Sequence, residues 1–184
     1  TIDEETGMTG ARELKSGILN GDILINLDSE DEGELYVGCA GGLDATAIFS
    51  YETQSAPKSI EGYKLSVTGL KGGHSGMDII LGRGNANKTM VRLLLPMMRE
   101  HNVMLASIEG GSLRNAIPRE AFAHIAVLKG EEEAVKALVA KHFEEIKNEL
   151  SVQDPDVKIT LEKADRPDSI IDSEVAIKMV KAVY

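Results

Sequence analysis

Two glycine-containing stretches each place a polar side chain among residues that let the backbone come close to a ligand. His74 lies within residues 71–76, and Asn115 lies within residues 110–118. Glycine lets the backbone turn tightly or come close to a ligand, and hydrophobic packing gives no reason for a histidine among glycines. These two side chains are therefore the first candidates for a catalytic or binding site.

Carboxylates near the start of the chain form a second candidate group. Glu4 and Glu5 are adjacent, and Asp28 follows the apolar run of residues 22–27. In a loop, two adjacent carboxylates can reach one site, where one ligates a metal ion and the other takes a proton from a bound water. With Asp28 they make a plausible half of a metal site, which suggests a piece of a larger enzyme. By themselves, Glu4 and Glu5 would be a solvated surface pair, and their spacing is only a weak indication of a metal site.

Composition narrows the class of protein. The chain has 184 residues, 42% of them hydrophobic, and a net charge of −10 with a pI of about 4.9. This acidity argues against nucleic acid and anionic membranes as partners, because both need a basic surface. Cys39 is the single cysteine, so no disulfide framework exists. No apolar run reaches membrane-spanning length, and we expect a reducing, cytoplasmic compartment.

The order of predicted elements between residues 63 and 162 is β-α-β-β-α-β. Tyr63, Leu65 and Val67 alternate with polar residues, which is typical of a half-buried strand, and Asn85 is a good N-cap for the next helix. The later elements are predicted as strands at 103–109 and 120–128, a helix at 131–150 and a strand at 157–162. This order favours an α+β, ferredoxin-like fold, with two helices on one face of an antiparallel sheet.

The first residues indicate a different architecture. We predict a short helix over residues 10–19, a buried strand over 22–27 and strands over 34–39 and 44–52, of which 45–52 could extend the antiparallel sheet. The domain assignment is therefore a remnant of an α/β catalytic domain at 1–44, a complete small domain at 45–165, and a linker and the start of a further segment at 166–184.

Several segments resemble the M20 family of metallopeptidases. Residues 1–11 and 25–30 are similar to that family's metal-ligand segments, and residues 72–76, 84–87 and 114–121 are similar to segments of its lid domain. Within the family, residues 28–34, 38–42 and 69–76 most resemble the dipeptidases that cleave Xaa-His dipeptides such as carnosine. The motifs occur in the family's order over nearly the whole chain.

The resemblance implies two zinc ions in a catalytic domain and a lid that closes over a dipeptide substrate. It implies that Glu4 is the general base, that Glu5 and Asp28 are zinc ligands, that His74 stabilises the tetrahedral oxyanion, and that Asn115 contacts the substrate. It also implies a homodimer formed through the lid.

Other family features are expected outside this sequence. They are a His-x-Asp segment, a bridging aspartate and a further zinc-binding histidine. An arginine that binds the substrate carboxylate in many relatives has no counterpart in the strand ending at Lys129. We therefore expect the chain by itself to lack peptidase activity. Two alternatives remain open, a homo-association module and a small-molecule regulatory domain.

Overall fold

The computed structural model describes residues 3, 7–27, 32–38, 41, 43 and 45–184. The chain divides into two compact units, Thr1–Ala47 and Ile48–Tyr184. The predicted domain boundaries after residues 44 and 165 stay predictions.

The first unit contains a short helix, α1 (Thr9–Arg12). The elements of the second unit follow in this order: β1 (Thr53–Ser55), β2 (Ile60–Thr68), β3 (Gly73–His74), α2 (Ala86–Glu100), β4 (Met104–Gly110), β5 (Ala116–Ile117), β6 (Ala121–Leu128), α3 (Glu132–Glu149), β7 (Lys158–Ala164), β8 (Ser169–Ile171) and α4 (Ser173–Val183). A single 3₁₀ turn at Ile79–Leu81 lies between β3 and α2.

Strands β2, β4, β6 and β7 form a four-stranded antiparallel sheet in the order β4-β6-β2-β7. Leu65 at the centre of β2 is paired with Ala123 on one side and Leu161 on the other. This is the strand order that a split βαβ fold produces from a β-α-β-β-α-β chain. The predicted α+β fold with an antiparallel sheet is confirmed.

The main core lies between this sheet and the helices. Tyr63, Leu65 and Val67 point to one face, as their alternation predicted, and pack in one buried cluster with residues of α2 and α3. Asn85 caps α2, since its side chain accepts a hydrogen bond from the backbone N–H of Lys88 at 3.1 Å. The core thus fixes β2 relative to α2, and the chain between them forms the loop that carries His74.

A smaller cluster covers one end of the opposite face. It contains Ala56, Ile60, Ala126 and Ile170. Here β1 pairs with β8 in a separate two-stranded antiparallel sheet. The segment 45–52 joins no strand, so it does not extend the four-stranded sheet as the sequence had suggested.

The first unit differs from its prediction. The helix is confined to Thr9–Arg12 instead of residues 10–19, and no strand forms in residues 7–27, 32–38 or 45–52. Leu24 and Ile25 are 85% and 76% exposed, respectively. A buried parallel strand needs neighbouring strands for its backbone hydrogen bonds and covering layers for its side chains. The described part of this unit supplies neither to residues 22–27.

Candidate functional site

A short strand pair brings the two candidate side-chain positions together. Strand β3 pairs with β5, so that His74 is opposite Ala116. Directly beyond this pair, the backbone N–H of Ser75 donates to the carbonyl oxygen of Asn115 at 2.9 Å. Backbone pairing across about forty sequence positions therefore makes His74 and Asn115 neighbours.

The imidazole of His74 has a defined orientation and a defined tautomer. Its Nδ1 accepts hydrogen bonds from the backbone N–H groups of Gly76 at 3.1 Å and Met77 at 3.2 Å. An imidazole nitrogen that accepts carries no proton, so the proton of the neutral ring is on Nε2. His74 is exposed, and its Nε2–H is the ring's remaining donor.

Two charged side chains shape the loop around His74. Asp78 accepts a hydrogen bond from the His74 backbone N–H at 2.8 Å, and its carboxylate lies 3.5 Å from the guanidinium of Arg83. Arg83 also donates to the carbonyl oxygen of Gly72 at 2.7 Å. Neither residue was among the predicted site residues, although an aspartate and an arginine inside an otherwise glycine-rich loop are a visible signal in the sequence.

The contacts of Asp78 and Arg83 with the His74 loop depend on a glycine at position 73. Its φ of +143° lies outside the range that other residues favour. A Cβ atom there would lie 2.5 Å from the Asp78 carboxylate and 2.6 Å from the Arg83 guanidinium. A side chain at this position would strain the backbone and would displace the Asp78 and Arg83 side chains.

The Asn115 side of the site is attached to the start of α2. The side chain of Asn87 donates to the carbonyl oxygen of Gly110 at 3.3 Å. The backbone N–H of Ala86 donates to the carbonyl oxygen of Pro118 at 2.8 Å. The loop containing Asn115 is thus fastened to a rigid helix at both of its ends.

A cavity of about 660 Å³ lies between the two loops. Residues 71–73 line one side, and residues 109–113 and 116–120 line the other. Lys71 and Arg119 are cations of this lining, and Arg119 lies 3.7 Å from the Glu120 carboxylate. Arg119 directly precedes Glu120 and Ala121, so it lies before β6, the strand in which the resemblance led us to expect a substrate-binding arginine. The volume is in the range of small-molecule sites.

The predicted metal-site residues are not part of this geometry. Glu4, Glu5 and Asp28 lie outside the described residues. Within the described part of the chain, no three His, Cys, Asp or Glu residues lie together so that they could hold a metal ion. Their assigned roles stay predictions.

The other histidines have structural partners. His142 on α3 lies 3.0 Å from Glu145, and His101 at the end of α2 lies 3.0 Å from Glu131. Nε2 of His124 lies 2.8 Å from the carbonyl oxygen of Asp165. These contacts indicate structural positions for His142, His101 and His124, and they leave His74 as the candidate histidine.

Comparison with known families identifies the domain that carries this site. Residues 65–154 match the M20 peptidase dimerisation domain. The matched residues run from Leu65 in β2 to the loop after α3, and they include His74 and Asn115.

Relatives of the chain are dipeptidases. The cytosol non-specific dipeptidase of Escherichia coli is 48% identical over 162 residues, covering 88% of this chain and 33% of that protein. The crystal structure of aminoacylhistidine dipeptidase from Vibrio alginolyticus is similar over 100% of this chain and 37% of its own chain, with 38% identity and a TM-score of 0.80. The sequence thus spans about a third of the length of these relatives.

The described helices include none that is both long and apolar enough to cross a membrane.

Proposed function

We propose that this chain is the lid segment of a zinc-dependent dipeptidase that hydrolyses Xaa-His dipeptides. The observation that carries the proposal is the pairing of β3 with β5, which places His74 beside Asn115, next in sequence to Gly73 and Ala116 of the cavity lining. The same fold is present over the whole chain in a relative named aminoacylhistidine dipeptidase.

His74 is suited to stabilise negative charge. Because Nδ1 accepts two backbone hydrogen bonds, the ring presents Nε2–H as a donor without having to be protonated. In peptide hydrolysis the carbonyl oxygen becomes negatively charged in the tetrahedral transition state, and a fixed donor aimed at it lowers the barrier. Asn115, held next to His74, contacts the bound dipeptide and sets its position.

The zinc-dependent part of the reaction is assigned to residues near the start of the chain. In this proposal Glu5 and Asp28 bind zinc, for which carboxylates are suitable ligands, and Glu4 takes the proton from the attacking water. Bound zinc supplies Lewis acidity and lowers the pKa of water at the site. The chain spans a third of the length of its dipeptidase relative, and the family resemblance places further zinc ligands outside this sequence. We therefore propose that this chain alone is inactive.

A kinetic comparison tests the proposal. The full-length polypeptide that carries this sequence should hydrolyse carnosine with zinc, lose activity with a chelator and regain it with added zinc. A matched dipeptide in which alanine replaces the C-terminal histidine should have a lower kcat/KM. Equal kcat/KM values would contradict the Xaa-His preference and indicate the broad specificity that the name of the Escherichia coli relative describes. No hydrolysis of either dipeptide would contradict the dipeptidase assignment.

Self-association is the second part of the proposal. Residues 65–154 match a dimerisation domain, and β4 and β7 are the edge strands of the four-stranded sheet. Exposed strand edges can pair with a second copy. Sedimentation of the full-length protein should show a homodimer, and a strict monomer at high concentration would contradict this part. Since one relative is named a cytosol enzyme, we place the protein in the cytoplasm, which fractionation would test.

A further inference from the structure

Asp154 is a buried carboxylate outside the candidate site. It follows α3 in the loop before β7 and is 0% exposed. One carboxylate oxygen accepts a hydrogen bond from the backbone N–H of Lys71 at 2.7 Å, and the other accepts from the backbone N–H of Gly84 at 2.7 Å. Burial of a carboxylate is costly unless such bonds satisfy it, so both bonds matter to the fold.

The two donors enclose the loop that carries His74. Lys71 precedes β3, and Gly84 directly precedes the cap residue of α2. A single carboxylate therefore joins the two ends of the segment 71–84. A second bond links almost the same two ends, since the Arg83 guanidinium donates a hydrogen bond to the carbonyl oxygen of Gly72.

The carboxylate is itself attached to a rigid element. The Asp154 backbone N–H donates to the carbonyl oxygen of Leu150 at the end of α3 at 2.8 Å, and its carbonyl oxygen accepts from Val157 at 3.1 Å. A Cβ atom at Gly84 would lie 2.9 Å from side-chain carbons of Leu70 and Leu150. Because Gly84 has no side chain, its backbone can lie this close to Leu70 and Leu150 and donate its N–H to Asp154.

We infer that Asp154 is a positioning residue, which holds both ends of the His74 loop against the end of α3 so that the imidazole keeps its place beside Asn115. This inference rests on the proposed function. Asp154 acts through His74 and does not itself contact the dipeptide.

Asp154→Asn in the full-length enzyme gives a sharp test. The asparagine side chain has nearly the same volume, but it has only one acceptor oxygen. In either orientation its NH₂ group faces a backbone N–H of Lys71 or Gly84. We expect kcat to fall about 10- to 100-fold, since small displacements of a catalytic group have effects of this size, and KM to change less than kcat.

A double-mutant cycle separates positioning from general damage. In the background of His74→Ala, Asp154→Asn should have almost no further effect on kcat, because the group that it positions is gone. A purely structural role would lower kcat by the same factor in both backgrounds. Asp172→Ala is the matched control, since the Asp172 carboxylate likewise accepts two backbone hydrogen bonds, at the start of α4. It should lower the melting temperature without changing kcat.

Hydrogen exchange of the wild-type enzyme keeps the inference testable if Asp154→Asn fails to fold. The Lys71 and Gly84 amides should exchange slowly, and rapid exchange of both would overturn the inference. An unchanged kcat in Asp154→Asn, or equal losses in the two backgrounds, would also overturn it while the dipeptidase assignment remains. A wild-type enzyme without dipeptidase activity would instead overturn the proposed function.

Discussion

The backbone N–H of Ser75 donates to the carbonyl oxygen of Asn115 at 2.9 Å, directly beyond the strand pair that places His74 opposite Ala116. The two loops of the candidate site are thus joined by backbone bonds that do not depend on the identity of either side chain. Substitution of His74 or Asn115 should therefore change the chemistry of the site while the loop pairing remains.

Removal of the imidazole should affect turnover more than binding. His74→Ala in the full-length enzyme is expected to lower kcat for carnosine by about 100- to 1000-fold, the usual effect of losing one oxyanion donor. KM should change little, since the donor acts mainly on charge that develops in the transition state. Steady-state kinetics measure both quantities.

His142→Ala is the matched control for this substitution. His142 lies on α3 with its ring beside Glu145, whereas His74 lies in the pairing of β3 with β5. Its removal should leave kcat and KM close to their wild-type values. A loss similar to that of His74→Ala would contradict the assignment of His74.

Asp78 is expected to matter through the backbone of His74. Asp78→Ala removes the acceptor of the His74 N–H and the partner of Arg83. The loop should shift, and kcat should fall about 10- to 100-fold, as misplacement of a catalytic group by about 1 Å does. Glu133→Ala is the control, since it removes only a surface partner of Lys136 on α3. Steady-state kinetics compare kcat for the two variants. Equal kcat values for the two variants would show that Asp78 has no such role.

Two glycines with positive φ should respond differently to alanine. Gly69 has φ +77°, and a Cβ atom there would collide with the carbonyl oxygen of Asp156. Gly130 has φ +98° with nothing within 4 Å of a Cβ atom. Gly130→Ala should cost about 1 kcal/mol of unfolding free energy through backbone strain alone, and Gly69→Ala should cost about 1–3 kcal/mol more through the collision. Chemical denaturation measures both, and equal losses would contradict the close approach at Gly69.

The ion pair between α2 and α3 should give a pH-dependent contribution to stability. Arg92 donates two hydrogen bonds to Glu149, at 2.7 and 2.8 Å, which lower the pKa of Glu149 below its usual 4.5. A lowered folded-state pKa means that the contribution is present above about pH 4.5 and is lost as the pH falls through the folded-state value. The pair is partly exposed, so Glu149→Gln should cost about 0.5 kcal/mol at pH 7.

Denaturation as a function of pH checks this prediction. The difference between wild type and Glu149→Gln should shrink below pH 4.5. Glu144→Gln on the same helix should show a smaller difference at pH 7. A Glu149→Gln difference that grows on acidification would contradict the sign of the effect.

The sequence predicted the antiparallel domain well because its patterns are local. The alternation in β2 and the cap residue Asn85 each define an element by themselves, and the order of elements then leaves few ways to build the sheet. His74 and Asn115 were recognisable for a similar reason. Each is a polar residue in a glycine-containing loop, where hydrophobic packing does not account for it.

Other features depend on partners distant in the sequence. Asp154 reaches Lys71 across 83 positions and Gly84 across 70, and nothing in its local sequence marks it as buried. The apolar run at 22–27 led to the opposite kind of error, because a buried strand was predicted there and none forms. Its composition is that of a buried strand, but a strand forms only where another strand supplies backbone hydrogen bonds.

The antiparallel ladder between β1 and β8 places Thr53 opposite Ile171. The two ends of the segment 53–171 are therefore adjacent in space. Such adjacency is the geometric condition for grafting a domain into a host protein or for relocating its termini by circular permutation. These strand ends are therefore a suitable junction, provided that α4 stays attached, because its Ala176 and Val180 are buried in the main core.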